Sequence, residues 1–297
     1  MLDLEKLIGK LVSLMSAWKE LGSSYRLVFL TGGSIVFASG VIWSFTALDF
    51  TSMKLQTWFL PLAISAVAAA VVVNAAEQWF AAKTLKVEYS FGRSLEVSCW
   101  ATLANVLPVP GALLVRSASL GRAGAKARDN ALVLGAGAII WVLLTIAMVA
   151  FAIAPTIAVA AFSVLLILFA ITVSVLLGRR FVSGAAAMML ILRFVLLALA
   201  VARLYAFLGL IDGQTAFRDA AVYAGSSLAG QVIGVVPAGI GIVEAVGAGL
   251  ALMIDGAPAK AFFALSLNRA FGLLVAGLVV STAGFVKGRR QDTGKAN

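Results

Sequence analysis

The chain has 297 residues, of which 62% are hydrophobic and 12% charged, and its net charge is +10. A mean hydropathy of +1.05 excludes a soluble globular domain of this size and calls for a membrane protein that crosses several times. Histidine is absent and Cys99 is the lone cysteine, which removes an internal disulfide, a Ser-His or Cys-His nucleophile and the commonest metal ligand.

Residues 1–26 form no span. Leu4, Leu7, Ile8, Leu11, Met15 and Trp18 share one helical face, with Lys6, Lys10, Ser13 and Glu20 on the other. This pattern predicts an amphipathic helix lying on the membrane surface. A helix packed on the protein's own cytoplasmic side gives the same pattern.

Six apolar runs are long enough to span: 27–48, 57–82, 131–153, 156–177, 184–208 and 259–286. Asn74, Glu77 and Gln78 make a polar inner end on the second, where Glu77 reads as solvated near the interface. Two further stretches are broken. Residues 94–121 are interrupted by Pro108, Pro110 and Gly111, and each flank is about half a bilayer long. Residues 219–254 are interrupted by Pro237, Gly239 and Gly241, and carry a carboxylate, Glu244, just beyond. Irregular backbone at membrane depth persists only where protein or a water-filled cavity covers it, so both read as re-entrant helical hairpins. Residues 287–297 form a basic tail.

With the N-terminus inside and both hairpins returning to their side of entry, the inner loops hold sixteen of the 23 basic residues. The outer loops hold Lys54, Arg218 and Lys260. That asymmetry follows the positive-inside rule and puts both termini in the cytoplasm. The order span, span, hairpin, span then occurs twice, over 27–153 and 154–286, with opposite entry sides. The expected fold is all-α and polytopic, with about six full spans, two re-entrant hairpins and an inverted-topology repeat, a pattern that points to a transporter site near the midplane.

Arg116, Arg193, Glu244 and Arg269 lie within membrane depth, where an ionisable side chain costs about 2.5–3.5 kcal/mol unless paired or solvated. Two readings stand. In one, the arginines bind an anionic headgroup or phosphate, for which a planar guanidinium is suited, and Glu244 pairs with an arginine or takes up a proton. In the other, Glu244 forms a structural ion pair with Arg269 or Arg116 that pins the hairpins. On either reading Glu244 and Arg116 make the hairpin tips complementary in charge. Arg203 is placed to snorkel outward. Gly239 and Gly241 suit a tip that needs φ > 0 or close backbone approach. Gly247 and Gly249, with Ala245 and Ala248, read as close helix packing. No nucleotide loop or metal cluster is present.

The segments LANVLPVPGALLVR (103–116), VVPAGIGIVEA (235–245) and LNRAFGL (267–273) resemble the transmembrane region of lysylphosphatidylglycerol synthases, the flippase-like family. The matching positions are Asn105, Pro108, Gly111 and Arg116, then Pro237, Gly239, Gly241 and Glu244, then Arg269. Two departures are Ala112, where many members are acidic, and Ala238, where a glycine is common. The resemblance implies a lipid translocase of the bacterial inner membrane, moving an anionic, aminoacylated, polyprenyl-linked or hopanoid-type lipid between leaflets. Without the soluble aminoacyl transferase of larger members after the last span, lysyl-phosphatidylglycerol synthesis is not expected, and with no enzyme motif in the sequence the expectation is not an enzyme, with no cofactor and no metal. Expected partners are membrane lipids, a lipid-biosynthetic enzyme or a second copy in a homo-oligomer, and no nucleic acid. Two rival functions are a non-transporting scaffold for an envelope-lipid synthase and an intramembrane lipid-modifying enzyme.

Overall fold

The structure is a computed structural model that describes residues 26–48, 55–105, 111–213, 215–226 and 241–294. The surface helix expected over 1–26 lies outside them but for Arg26, and so do Pro108, Pro237 and Gly239. Among the described residues all regular structure is helical. The helices are α1 (Arg26–Ala47), α2 (Phe59–Thr84), α3 (Phe91–Ala104), α4 (Gly111–Arg122), α5 (Ala127–Ile153), α6 (Ile157–Arg180), α7 (Ser183–Asp212), α8 (Phe217–Ala224), α9 (Ile242–Leu252) and α10 (Pro258–Gly294).

Five of these, α2, α5, α6, α7 and α10, are long and apolar enough to cross a membrane. The first expected span coincides with α1, whose described apolar part, Thr31–Ala47, is shorter than the other five. The exposed face of α6 carries Leu165, Leu168, Phe169 and Leu176, a surface that lipid suits and water does not. The helices start where their sequences allow. Thr156 accepts from the Val159 N–H to cap α6, Ser90 caps α3 through the Arg93 N–H, and Gly213 ends α7 in the left-handed region.

α2 and α7 pack together more extensively than any other pair. Between helices immersed in lipid, contact depends on close approach rather than on expulsion of water. The buried faces of these two accordingly carry small residues, Ala63, Ala66, Ala70 and Ala75 on α2 and Ala185, Ala186, Ala200 and Ala206 on α7. α5 lies against α6, and α10 against α1 and α7.

Among the described residues, each of the two broken stretches contributes two short helices. α3 and α4 have 14 and 12 residues, and α8 and α9 have 8 and 11, all below the roughly 20 that a crossing needs. α3 packs on α4, α2 and α10; α8 packs on α9, α7 and α5. At the first turn Asn105 accepts a hydrogen bond from the Ala112 N–H at 3.0 Å, which caps α4. A Cβ at Gly111 would collide with the Ala104 carbonyl, so a glycine lets the two helix ends meet. Gly247 is likewise a close-packing position, since a Cβ there would strike Leu265. Gly249 is not: a Cβ would meet nothing within 4 Å.

Candidate functional site

Glu77 is the centre of the site. The sequence reading placed it in solvated surroundings near the interface; instead it is 2% exposed, inside the bundle. Its carboxylate pairs with Arg193 of α7 through Oε1 and with Arg116 of α4 through Oε2, the latter at 3.5 Å. Arg116 also donates to Asn74 Oδ1 at 3.0 Å, one turn earlier on α2. Three helices, α2, α4 and α7, therefore converge through one acid and two bases.

Local packing holds each partner. Asn130 at the start of α5 donates to the Ser117 carbonyl and hydroxyl at 2.9 and 3.1 Å, which ties α4 to α5 beside Arg116. The Tyr89 hydroxyl bonds Ser119 and ties the preceding linker to α4. The Arg193 guanidinium lies 5.6 Å from the Trp141 ring centre, within cation–π range. Gly137 completes the wall; a Cβ there would come within 3.3 Å of the Arg193 guanidinium.

The cluster is not saturated. Gln78 is 1% exposed, and neither its amide nitrogen nor its oxygen has a hydrogen-bond partner. Nor do Arg116 Nε, Arg193 Nε and Trp141 Nε1. A buried polar group without a partner costs about 1–3 kcal/mol. Gln78, Arg116 and Arg193 line a cavity of about 10 Å³ together with Glu77 and Gly137. That is room for one water-sized group. With one carboxylate between two guanidiniums, the site carries an excess positive charge.

A second ion pair lies elsewhere. Glu244, 0% exposed, accepts from Arg269 Nε at 2.7 Å and from Arg269 NH2 at 3.3 Å, joining α9 to α10. Its other role is at the helix start, where Oε2 accepts from the Gly241 N–H at 3.0 Å, and a carboxylate in the first turn also suits the helix dipole. Gly241 has φ +79° and sits against α1, where a Cβ would lie 2.8 Å from the Gly33 carbonyl oxygen.

The expected site residues thus fall into two groups. Arg116 and Arg193 come together at Glu77; Gly241, Glu244 and Arg269 come together at the start of α9. Arg116 and Glu244 are not each other's partners: Arg116 pairs with Glu77 and Glu244 with Arg269. Each tip helix instead brings its charge to a partner on a spanning helix. Arg203 on α7 has a buried Nε without a partner and belongs to neither group. Among the described residues no cluster of His, Cys, Asp or Glu suited to a metal ion occurs.

Glu77 and Gln78 are the site residues that sequence reasoning missed. The signal was there: Asn74, Glu77 and Gln78 stand at helical spacing in an otherwise apolar segment, and such a stripe marks a face turned toward protein. In comparisons with family models, with curated proteins and with solved structures, nothing matches this chain.

Proposed function

We propose that this protein moves a lipid with an anionic headgroup between the leaflets of a bacterial inner membrane, with both termini cytoplasmic. The observation that carries the reading is the buried carboxylate of Glu77 shared by Arg116 and Arg193, next to the unpartnered amide of Gln78. Two guanidiniums on one acid leave donors and positive charge for a phosphate, and phosphate is what a paired guanidinium recognises best.

The arrangement of helices supports the same reading. On an inverted repeat, α1 corresponds to α6, α2 to α7, the α3–α4 pair to α8–α9, and α5 to α10. Three sets of contacts support that correspondence, α3 on α10 beside α8 on α5, α5 on α6 beside α10 on α1, and α4 on α5 beside α9 on α10, while the contact of α6 with α7 has no comparable counterpart between α1 and α2 among the described residues. The short pairs then act as re-entrant hairpins on opposite sides, as in transporters whose sites lie between repeats. The present cavity is too small for a headgroup. Entry requires displacement of the α3–α4 pair, and with it Arg116, from Glu77. The headgroup takes the place of Glu77 at Arg116 while Arg193 keeps the carboxylate neutralised.

The test is lipid transfer by the purified protein in vesicles carrying a trace of reporter-headgroup phosphatidylglycerol, with the outer leaflet chemically bleached. Wild-type protein speeds the loss of protected reporter. Arg116→Gln lowers that rate about tenfold, the equivalent of one charge-assisted contact. Wild-type vesicles that bleach no faster than protein-free ones overturn the reading. A scaffold instead co-purifies with a synthase and transfers nothing alone, and a lipid-modifying enzyme turns the headgroup over.

A further inference from the structure

A second, larger cavity lies away from the charged cluster. It is an apolar groove of about 410 Å³ among α2, α5, α7 and α8, lined by Leu62, Met148, Ala198, Val201, Tyr205 and Phe217. Its walls include three helices long and apolar enough to cross a membrane, α2, α5 and α7, so an apolar ligand suits its open side. The volume lies in the range of ligand sites, about 300–1,000 Å³.

The lining has a single polar side chain, Tyr205, which makes an edge contact with Phe59. Phe217, 69% exposed, lines the groove as well. The next residue, Arg218, turns its guanidinium onto the end of α5, donating to the Ala152 carbonyl at 3.1 Å and the Ile153 carbonyl at 3.3 Å. That places a cation about one turn beyond Met148 at the rim. The sequence of features is an aliphatic slot, then a phenol, then an exposed arginine. It matches a lipid read along its length: acyl chain, ester, phosphate.

We infer that this groove is a phospholipid-binding site, holding one acyl chain along α7, with the ester at Tyr205 and the phosphate over Arg218. The site stands apart from the transport reading, because neither Arg116 nor Glu77 lines it.

The experiment uses the full chain in vesicles containing phosphatidylglycerol with a photoreactive group in mid-chain, and maps adducts by peptide mass spectrometry. Adducts at Leu62, Ala198, Ala202 and Tyr205 are expected to exceed those on the exposed α6 residues Leu165, Leu168 and Phe169 by about fivefold, a preference of roughly 1 kcal/mol. Ala198→Trp fills the slot and removes the excess while α6 adducts stay constant; Ala202→Phe does the same from the next turn should the first variant fail to fold. Diacylglycerol with the same chain labels the groove about threefold less, since it lacks the phosphate. Arg116→Gln leaves groove labelling unchanged, which separates this site from the transport reading. Even labelling of groove and α6, or an excess that survives both filling variants, overturns the site. Equal labelling by diacylglycerol overturns the place given to the phosphate.

Discussion

Glu77 on α2 and Arg193 on α7 form an ion pair inside the most extensively packed helix interface of the chain. The pair does not earn its place as stability: buried ion pairs are matched or exceeded by apolar residues of similar size. Removing one partner is another matter, because it strands the other charge. The small buried alanines along α2 and α7 keep that charge inside the bundle, away from bulk solvent.

Glu77→Gln therefore strands two guanidiniums, and is expected to cost about 3–5 kcal/mol. The measurement is thermal unfolding in detergent. The double variant Glu77→Gln with Arg193→Met recovers part of the loss. Equal melting of wild type and Glu77→Gln would show that the carboxylate is solvated after all.

Gly137 controls the room around that pair. Its missing Cβ leaves 3.3 Å to the Arg193 guanidinium and 3.8 Å to Glu77 Oε1. Gly137→Val takes the space of the cavity and pushes Arg193 off the acid. Lipid transfer in the vesicle assay should fall about tenfold, with α-helical content by circular dichroism unchanged. Transfer at the wild-type rate would exclude the cavity from the path.

Gly241→Ala tests the second cluster. The residue occupies φ +79°, where a side chain costs about 1–2 kcal/mol, and the new methyl also presses on the Gly33 carbonyl. Destabilisation above that range is expected, seen as lower melting and as faster proteolysis between α8 and α9. The nearby Gly249→Ala, inside α9 with a Cβ that meets nothing, serves as the control and does not lower melting.

Re-entry of the α3–α4 pair has a direct test in topology. In a Cys99→Ser background, Lys86→Cys and Lys126→Cys flank the pair and should react with an impermeant thiol reagent from the same side. Lys260→Cys, in the first turn of α10, should react from the other. Opposite reactivity of the first two positions would make the pair a crossing.

The spanning helices were legible because hydrophobic length alone defines them: the runs 131–153 and 156–177 reappear as α5 and α6 with ends shifted by only a few residues. The short helix pairs were legible through proline and glycine, and Asn105 and Gly111 have local jobs at the turn that their chemistry announces. Partner choice was not legible. Glu244 has Arg269 and Arg116 as equally plausible mates in the sequence, and only the packing of α9 on α10 selects Arg269. Glu77 was misjudged for the related reason that depth along a helix does not reveal which face turns inward. Three polar residues on one face carried that information.

The shared carboxylate also imposes an order on assembly. The chain is made from its N-terminus, so Glu77 enters the bilayer on α2 before either of its partners exists. Arg116 arrives first, on the short helix α4, and Arg193 only after α5 and α6 have been inserted. Until then the acid has a single cation, and α2 has no α7 to bury its alanine face. Arg116 on α4 is thus the first cation made that can pair with Glu77, and a defect at Arg116 should show itself first as degradation of nascent protein.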